Sequence, residues 1–120
     1  MKKILIVDDT EFNIDLLVQL LEDEYELLIT GDGGSGVAMA REKRPDLILM
    51  DMSLPIMDGW TAASTIKSNP VLSSIPIIGL SAHAMQGDQR KALDNGCDAY
   101  LTKPVDEVLL KETIEELLKD

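Results

Sequence analysis

The chain has 120 residues, of which 45% are hydrophobic and 28% are charged, a size and balance typical of one compact domain with a proper core. Its formal net charge of -11 leaves no basic face for a phosphate backbone, which argues against direct binding to nucleic acid or to an anionic membrane. The single cysteine excludes an internal disulfide, and no apolar run approaches the roughly 20 residues of a membrane helix, so we expect a soluble cytoplasmic protein.

Five short aliphatic runs are spaced along the chain and alternate with helical patterns. The runs lack polar alternation, which is typical of strands covered on both faces, and they span Ile4–Val7, Leu27–Ile29, Leu47–Met50, Ile75–Leu80 and Ala99–Leu101. Apolar spacing, capping residues and helix-ending signals predict helices over Ile14–Leu21, Val37–Lys43, Gly59–Lys67, Ala84–Asp94 and Leu110–Leu118. Asp58 is the predicted cap of the third helix.

Strands that alternate with helices predict an α/β fold with a parallel sheet and right-handed crossovers. The commonest five-stranded arrangement is the flavodoxin-like doubly wound sheet of strand order 2-1-3-4-5, here with five helices. We see no internal repeat, linker or low-complexity segment, so residues 1–120 are predicted to form a single domain. In such a sheet the strand carboxyl ends share one edge, and the residues that follow the runs should meet there.

Three aspartates follow two of these runs. Asp8 and Asp9 come directly after the first run, and Asp51 comes directly after the third. Each like-charged pair about 4 Å apart costs roughly 1 kcal/mol at the dielectric constant of water and about 4 kcal/mol at an effective value near 20, so the cluster needs a cation or a raised pKa. Mg²⁺ prefers such oxygen ligands. The pattern favours metal binding for Asp9 and leaves Asp8 divided between metal binding and capping of the first helix.

Asp51 is the candidate nucleophile, because a carboxylate at a strand tip beside a metal can attack phosphorus and form an aspartyl phosphate. Lys103 follows the fifth run and places an ammonium at the same edge, where it can pair with Asp51 or with phosphoryl oxygens. Pro104 restricts Lys103 to extended backbone, and the sequence leaves open whether the peptide bond between them is cis. The alternatives are a capping or plain metal-binding role for Asp51 and a solvated turn position for Lys103.

Four further residues carry smaller signals. Ser81 ends the fourth run, where its hydroxyl can either donate to a phosphoryl oxygen or cap a helix. Tyr100 lies inside the fifth run, and a half-buried core position is the simplest interpretation. His83 is the only histidine and is expected near the mouth of the site, with its role left open. Cys97 is predicted to be a small buried hydrophobic residue.

Taken together, the aspartates after the first and third runs, Ser81-Ala82 after the fourth and Lys103-Pro104 after the fifth resemble the receiver domain of two-component response regulators, the CheY-like superfamily. The resemblance covers residues 3–118 and rests on separate motifs that occur in the same order with the expected elements between them. Residues 82–88 and 96–104 are similar to those of stand-alone regulators and hybrid-kinase receivers.

The resemblance implies a phosphorelay protein. In that family the residue at Asp51 accepts a phosphoryl group from a phosphohistidine on a histidine kinase or a histidine phosphotransfer protein. The resemblance further implies Mg²⁺, with Mn²⁺ as a substitute, bound by Asp9, Asp51 and the main-chain carbonyl of Ser53, and by Asp8 through a water molecule. The chain would be a phosphoacceptor that catalyses only its own phosphotransfer and dephosphorylation, rather than an enzyme.

The resemblance also implies a switch. Lys103 and the Ser81 hydroxyl would bind the phosphoryl oxygens, and Ser81 and the ring at Tyr100 would then move. Their movement would alter the surface formed by the predicted fourth helix, the last strand and the last helix, where a downstream effector protein binds. Receivers of this kind occur as monomers and as phosphorylation-dependent homodimers.

Because the last helical pattern ends close to Asp120, we expect a stand-alone response regulator without an output domain. Two alternatives are a phosphate-independent receiver-like binding module and a receiver fragment of a larger regulator or hybrid histidine kinase. A phosphatase of the haloacid-dehalogenase type is less consistent with the sequence, because a second acid usually stands where this chain has Ser53. A flavodoxin would require a phosphate loop where Asp8 and Asp9 would repel a phosphate.

Overall fold

The computed structural model describes residues 1–52, 59–81, 90, 94 and 96–119. Its strands are β1 (Lys3–Val7), β2 (Glu26–Thr30), β3 (Leu47–Asp51), β4 (Ile77–Ser81) and β5 (Ala99–Thr102). Its helices are α1 (Glu11–Leu21), α2 (Gly33–Lys43), α3 (Gly59–Ser68) and α4 (Glu107–Leu117). Within the part of the chain that the structure describes, no helix combines the length and the apolar character needed to cross a membrane.

All five strands form one sheet in the order β2-β1-β3-β4-β5, and every neighbouring pair is parallel. The predicted strand order and flavodoxin-like α/β fold are therefore confirmed. β1 lies between β2 and β3, with Ile6 opposite both Ile29 and Leu49. This register places the residues that follow β1 beside the end of β3.

The core lies on both faces of the sheet, which explains why the strands lack polar alternation. Alternate residues of β1 and β3, such as Leu5 and Ile48, pack with α2 and α3 on one face. The residues between them, such as Ile4 and Leu49, pack with α1 and α4 on the other face. The sheet is thus held between two helical layers, and polar groups at its carboxyl edge sit on a buried support.

Several element boundaries differ from the prediction: α1 begins at Glu11, three residues before the predicted Ile14, and the starts of α2 and β4 also shift. α2 begins at Gly33, four residues before the predicted Val37, because the Asp32 side chain accepts a hydrogen bond from the Ser35 backbone N–H at 2.8 Å and caps the helix. β4 begins at Ile77, whereas the prediction extended the strand back to residue 75. The residues just before β4 form a turn in which the Ile75 N–H donates to the Leu72 carbonyl at 3.0 Å.

Five helices were predicted, and the described residues contain four. The predicted segment Ala84–Asp94 lies outside the described residues, apart from Arg90 and Asp94. Asp58, the predicted cap of the third helix, also lies outside them. The last helix contains the predicted apolar pattern but begins at Glu107, three residues before Leu110, where Asp106 caps α4 by accepting a hydrogen bond from the Leu109 N–H at 3.0 Å.

Candidate functional site

The carboxyl edge of the sheet brings the three predicted aspartates together. Val7 and Met50 are partners in the pairing of β1 with β3, so the residues that follow them, Asp8 and Asp51, are neighbours at the edge. One carboxylate oxygen from each of Asp8, Asp9 and Asp51 lies within 4.8 Å of the other two. Asp8 and Asp51 are buried and Asp9 is exposed, so the cluster has two supported acids and one that faces solvent.

Asp8 uses both of its carboxylate oxygens within the protein. Oδ1 accepts a hydrogen bond from the Thr10 backbone N–H at 2.9 Å, and Oδ2 accepts from the Lys103 ammonium at 3.1 Å. The N-cap position of α1 is Thr10, whose side chain makes no capping hydrogen bond. Asp8 therefore does not cap α1; it holds the turn between β1 and α1 and contacts Lys103.

Lys103 connects two of the three acids. Its Nζ lies 3.1 Å from Oδ2 of Asp8 and 3.4 Å from Oδ2 of Asp51, and only 13% of its side chain is exposed. The sequence predicted the pairing with Asp51 and missed the one with Asp8. The available signal was the position of Asp8, directly after the apolar run Ile4–Val7 at the same edge. The peptide bond between Lys103 and Pro104 is cis.

Ser81 and Tyr100 lie on the two neighbouring strands beside this cluster. Ser81 is the last residue of β4, is buried, and is paired in register with Thr102. Its carbonyl accepts a hydrogen bond of 2.7 Å from the Lys103 backbone N–H, which fixes the two residues side by side. Tyr100 is half-buried on β5 and packs against the core cluster that faces α2 and α3, in agreement with its predicted core position.

Two residues that the sequence placed at the site, Ser53 and His83, lie outside the described residues. Cys97 is buried in the core, as predicted. Thr30 was not singled out from the sequence. Its hydroxyl is buried and has no hydrogen-bond partner among the described residues, and its carbonyl accepts from the Asp8 N–H at 3.1 Å. Thr30 thus supports the position of Asp8 through its backbone.

The acidic cluster has the composition of a site for a hard divalent cation. Its possible ligands are carboxylate oxygens, which suit Mg²⁺ and Mn²⁺. Three carboxylates and the single ammonium of Lys103 leave a formal charge of minus two, which one divalent cation neutralises. The residues present therefore fit the predicted metal.

Comparison with known proteins defines the class. The chain belongs to the response regulator receiver domain family, whose model matches residues 4–115. It is 40% identical over 120 residues to the polar-differentiation response regulator DivK of Brucella anthropi, covering 99% of this chain and 98% of that protein. Receiver domains of this family act in two-component signalling.

Two solved structures resemble this one and contain metal ions. The receiver domain of a sensor histidine kinase from Pseudomonas aeruginosa PAO1 has magnesium coordinated in its active-site cleft (TM-score 0.92, 32% identity, covering 99% of this chain and 98% of that chain). The response regulator Rcp1 was solved in a Mn²⁺-bound form (TM-score 0.79, 29% identity, covering 98% and 90%).

Proposed function

We propose that this protein is a phosphorelay receiver that accepts a phosphoryl group on Asp51 and forms a 4-aspartylphosphate. The observation that carries the proposal is the arrangement of Asp51 at the tip of β3, buried, with the Lys103 ammonium 3.4 Å from its Oδ2 and two further carboxylates within 4.8 Å. The donor is a phosphohistidine on a histidine kinase or a histidine phosphotransfer protein.

In the reaction, a carboxylate oxygen of Asp51 forms a bond to phosphorus while the bond between phosphorus and the histidine nitrogen of the donor breaks. The imidazole leaves with the electron pair of that bond. Lys103 then binds a phosphoryl oxygen with its ammonium, and the Ser81 hydroxyl binds another. Phosphoryl transfer depends mainly on positioning and charge neutralisation, which suits a small rigid site without a dedicated general base.

Asp9 and Asp51 are the residues that would hold Mg²⁺ directly, with Mn²⁺ as a substitute. Asp8 would act through a water molecule, as the family resemblance implies, while its two oxygens also accept hydrogen bonds from Thr10 and Lys103. The family resemblance adds the main-chain carbonyl of Ser53. When bound, the cation supplies positive charge to the phosphoryl oxygens and offsets the repulsion among the aspartates.

The phosphorylated form is proposed to change the affinity for a downstream effector protein through Ser81 and Tyr100. Ser81 lies directly beside Lys103 and is paired in register with Thr102 of β5. Tyr100 is two residues before Thr102 on the same strand. The affected surface would include β5, α4 and the predicted fourth helix. If Tyr100→Ala leaves phosphorylation-dependent binding of the effector unchanged, this switch is wrong.

The protein would be a single-domain, cytoplasmic phosphoacceptor that catalyses only its own phosphotransfer and dephosphorylation. It acts by binding a partner protein, as a monomer or as a phosphorylation-dependent homodimer. The match to DivK covers 98% of the length of that regulator and supports a role of the same kind.

The experiment is to incubate the protein with acetyl phosphate or phosphoramidate, with and without Mg²⁺, and to measure the intact mass. We expect a gain of one phosphoryl group that requires Mg²⁺ and is lost in Asp51→Asn. Asp15→Asn, which removes an exposed aspartate of α1 outside the cluster, is the matched control and should be labelled normally. An unlabelled wild-type protein, under conditions that label another receiver, would leave a phosphate-independent binding module.

A further inference from the structure

A small cavity lies at the edge of the sheet opposite Asp51. Its volume is about 180 Å³, and the described residues that line it come from the end of α2 and from the segment between α3 and β4: Arg41, Arg44, Asn69, Val71 and Leu72. The end of α2 leads into the amino end of β3, and the segment after α3 leads into the amino end of β4. Asp51, in contrast, is the last residue of β3. Five strand residues span about 16 Å, so the cavity is separate from the aspartate cluster.

The polar groups around this cavity are donors. No ion pair joins Arg41 or Arg44 to a carboxylate within the described ranges, although the whole chain has twice as many acidic as basic residues. Oδ1 of Asn69 accepts a hydrogen bond from the Val71 N–H at 2.9 Å, and the amide NH₂ of Asn69 adds two N–H donors beside the arginines. Among the described residues that line the cavity, none carries a carboxylate. The cavity is therefore suited to an anion.

The backbone at Arg44 supports a role for its side chain. Arg44 is the C-cap of α2 and has φ 46° and ψ 67°, in the left-handed region. Glycine is the usual residue at such a helix end, because a side chain is disfavoured there. Cations near a helix C-terminus are favoured by the helix dipole. The helix dipole accounts for the presence of Arg41 in the last turn of α2. It does not account for an arginine at the left-handed position 44 or for the amide donors of Asn69.

The remaining walls are apolar. Leu72 is buried at 1% exposure and Val71 is 58% exposed, so aliphatic surface lies next to the two guanidinium groups. We propose that this cavity binds an acidic segment of a partner protein, in which a carboxylate contacts Arg41 and Arg44 and a neighbouring aliphatic side chain covers Val71. Charge complementarity favours this occupant, since a guanidinium binds a carboxylate through two parallel hydrogen bonds.

This binding site is independent of the proposed phosphorylation of Asp51. An acidic partner segment can remain attached at the amino edge of the sheet while the opposite edge gains or loses a phosphoryl group. The cavity would thus serve as a constant attachment point for a partner whose other contacts change.

The test uses the unphosphorylated 120-residue protein and an acetylated, amidated Glu-Leu-Glu tripeptide as the probe. Titration at constant ionic strength is followed by ¹H–¹⁵N NMR of the arginine Nε–H and asparagine side-chain signals. We expect saturable shifts of the Arg41, Arg44 and Asn69 signals. Arg41→Gln should weaken binding about tenfold, the loss of one charge-assisted interaction.

Two variants separate binding from other effects. Lys43→Gln removes the same charge from the same helical turn, but Lys43 lies 3.8 Å from Glu42 and does not line the cavity, so binding should be unchanged. Arg44→Gly should abolish the saturable shifts and leave the urea midpoint of unfolding unchanged or higher, because glycine adopts the left-handed backbone easily. If Lys43→Gln weakens binding as much as Arg41→Gln, the attraction is general and the site is refuted.

Other occupants give other results. If inorganic phosphate saturates the same signals and the tripeptide does not, the cavity is a small-anion site and the partner segment is refuted. If the signals shift when the protein alone is concentrated, with a matching rise in sedimentation coefficient, the occupant is a second copy of the chain. The absence of any saturable shift at millimolar tripeptide would overturn the proposal.

Discussion

Lys103 is the residue on which the electrostatics of the aspartate cluster depend. Its ammonium is mostly buried and lies within 3.4 Å of oxygens from two carboxylates that are themselves almost completely buried. A buried charge that loses its partner retains its desolvation cost without compensation. The lysine therefore offsets the charge of both Asp8 and Asp51, in addition to any contact with a phosphoryl group.

We predict that Lys103→Met lowers the free energy of unfolding by about 3 kcal/mol in metal-free buffer, since it removes the ammonium countercharge from two buried carboxylates. Urea unfolding followed by circular dichroism measures the loss. Lys111→Met is the matched control, because its ion pair with Glu107 is on the surface, with side chains 31% and 56% exposed. That variant should lose about 0.5 kcal/mol or less. Equal losses in the two variants would contradict the role assigned to Lys103.

Cys97 shows the effect of burial on a single group. Burial, with a smaller contribution from the Asp98 carboxylate, raises the pKa of the Cys97 thiol to about 12. A Cβ atom placed on Gly79 would lie 3.2 Å from Sγ of Cys97, so the thiol is closely packed against β4. Its role is to fill space in the core.

Alkylation of Cys97 should accordingly be slow in the folded protein. At pH 8 the raised pKa lowers the thiolate fraction about a thousandfold relative to a free cysteine. Iodoacetamide labelling followed by intact mass should show little reaction in buffer and rapid reaction in urea, where the same residue is exposed. Similar rates in buffer and in urea would show that the thiol is accessible in the folded state.

Much of the candidate site could be predicted from the sequence, because parallel strands end at one edge and Asp8, Asp9, Asp51 and Lys103 each follow an apolar run. The choice of ion-pair partners for Lys103 could not be predicted in full. That Lys103 contacts Asp8 more closely than Asp51 depends on side-chain geometry and on the hydrogen bond from Thr10, and neither has a sequence pattern.

At the scale of elements, capping side chains mark where α2 and α4 begin. The apolar pattern of α2 starts at Val37, yet the helix starts at Gly33, because Asp32 satisfies the Ser35 N–H with its carboxylate. Glycines at residues 33, 34 and 36 weaken the helical signal in sequence. One of them, Gly36, is required by packing: a Cβ there would lie 2.9 Å from a methyl carbon of Val7.

The cap of α2 predicts a pH-dependent stability. The hydrogen bonds from the Ser35 backbone N–H and hydroxyl lower the pKa of Asp32 from its ordinary value of 3.8. Because the folded-state pKa is depressed, the stabilisation is fully present above pH 3.8 and is lost as the pH falls through the folded-state pKa. Asp32→Ala should therefore be less stable than the wild type at pH 7, and the difference should shrink in acid.

Urea midpoints of both proteins across this pH range test the prediction. Asp32→Asn is the control, since asparagine keeps an acceptor oxygen for the Ser35 N–H and lacks the titrating charge. It should remain close to the wild type at pH 7. A deficit of Asp32→Ala that stays constant as the acid titrates would rule out the carboxylate as the source of the cap.

For the whole molecule, the dominant feature is a formal net charge of -11 combined with acids gathered at one site. Salt of any kind screens the general repulsion. A divalent cation that binds the cluster acts differently, because it stabilises the folded state by mass action. The two effects can be separated by comparing salts at equal ionic strength.

We predict that MgCl₂ raises the free energy of unfolding more than NaCl of equal ionic strength, with an excess of about 1.4 kcal/mol when Mg²⁺ is tenfold above its Kd. Asp9→Asn should remove most of this excess. In metal-free buffer the same variant should be about 1 kcal/mol more stable than the wild type, because one like charge leaves the cluster. Thermal or urea unfolding in each salt provides the measurement.

Asp15→Asn removes an equal charge from an exposed position of α1 outside the cluster and serves as the control. It should keep the full excess from Mg²⁺. If Asp9→Asn and Asp15→Asn respond alike, the effect of Mg²⁺ is general screening and the assigned metal site is wrong.

The strand order was predictable because it follows from chain-wide rules of strand and helix alternation. Five helices were predicted, and the described residues contain four. The boundaries of α2 and β4 depend on single hydrogen bonds made by Asp32 and Ile75. Long-range architecture was thus easier to predict than the position at which each element starts.

The ion pair between Asp8 and Lys103 joins residues 95 positions apart, which has a consequence during synthesis. At translation rates of about 5–20 residues per second, a ribosome needs roughly 5–20 seconds to pass from one residue to the other. During that interval the nascent chain carries Asp8 and Asp9, which follow β1, and then Asp51 of β3, without the ammonium of Lys103. The site gains the ammonium that neutralises it only after the last strand has been made.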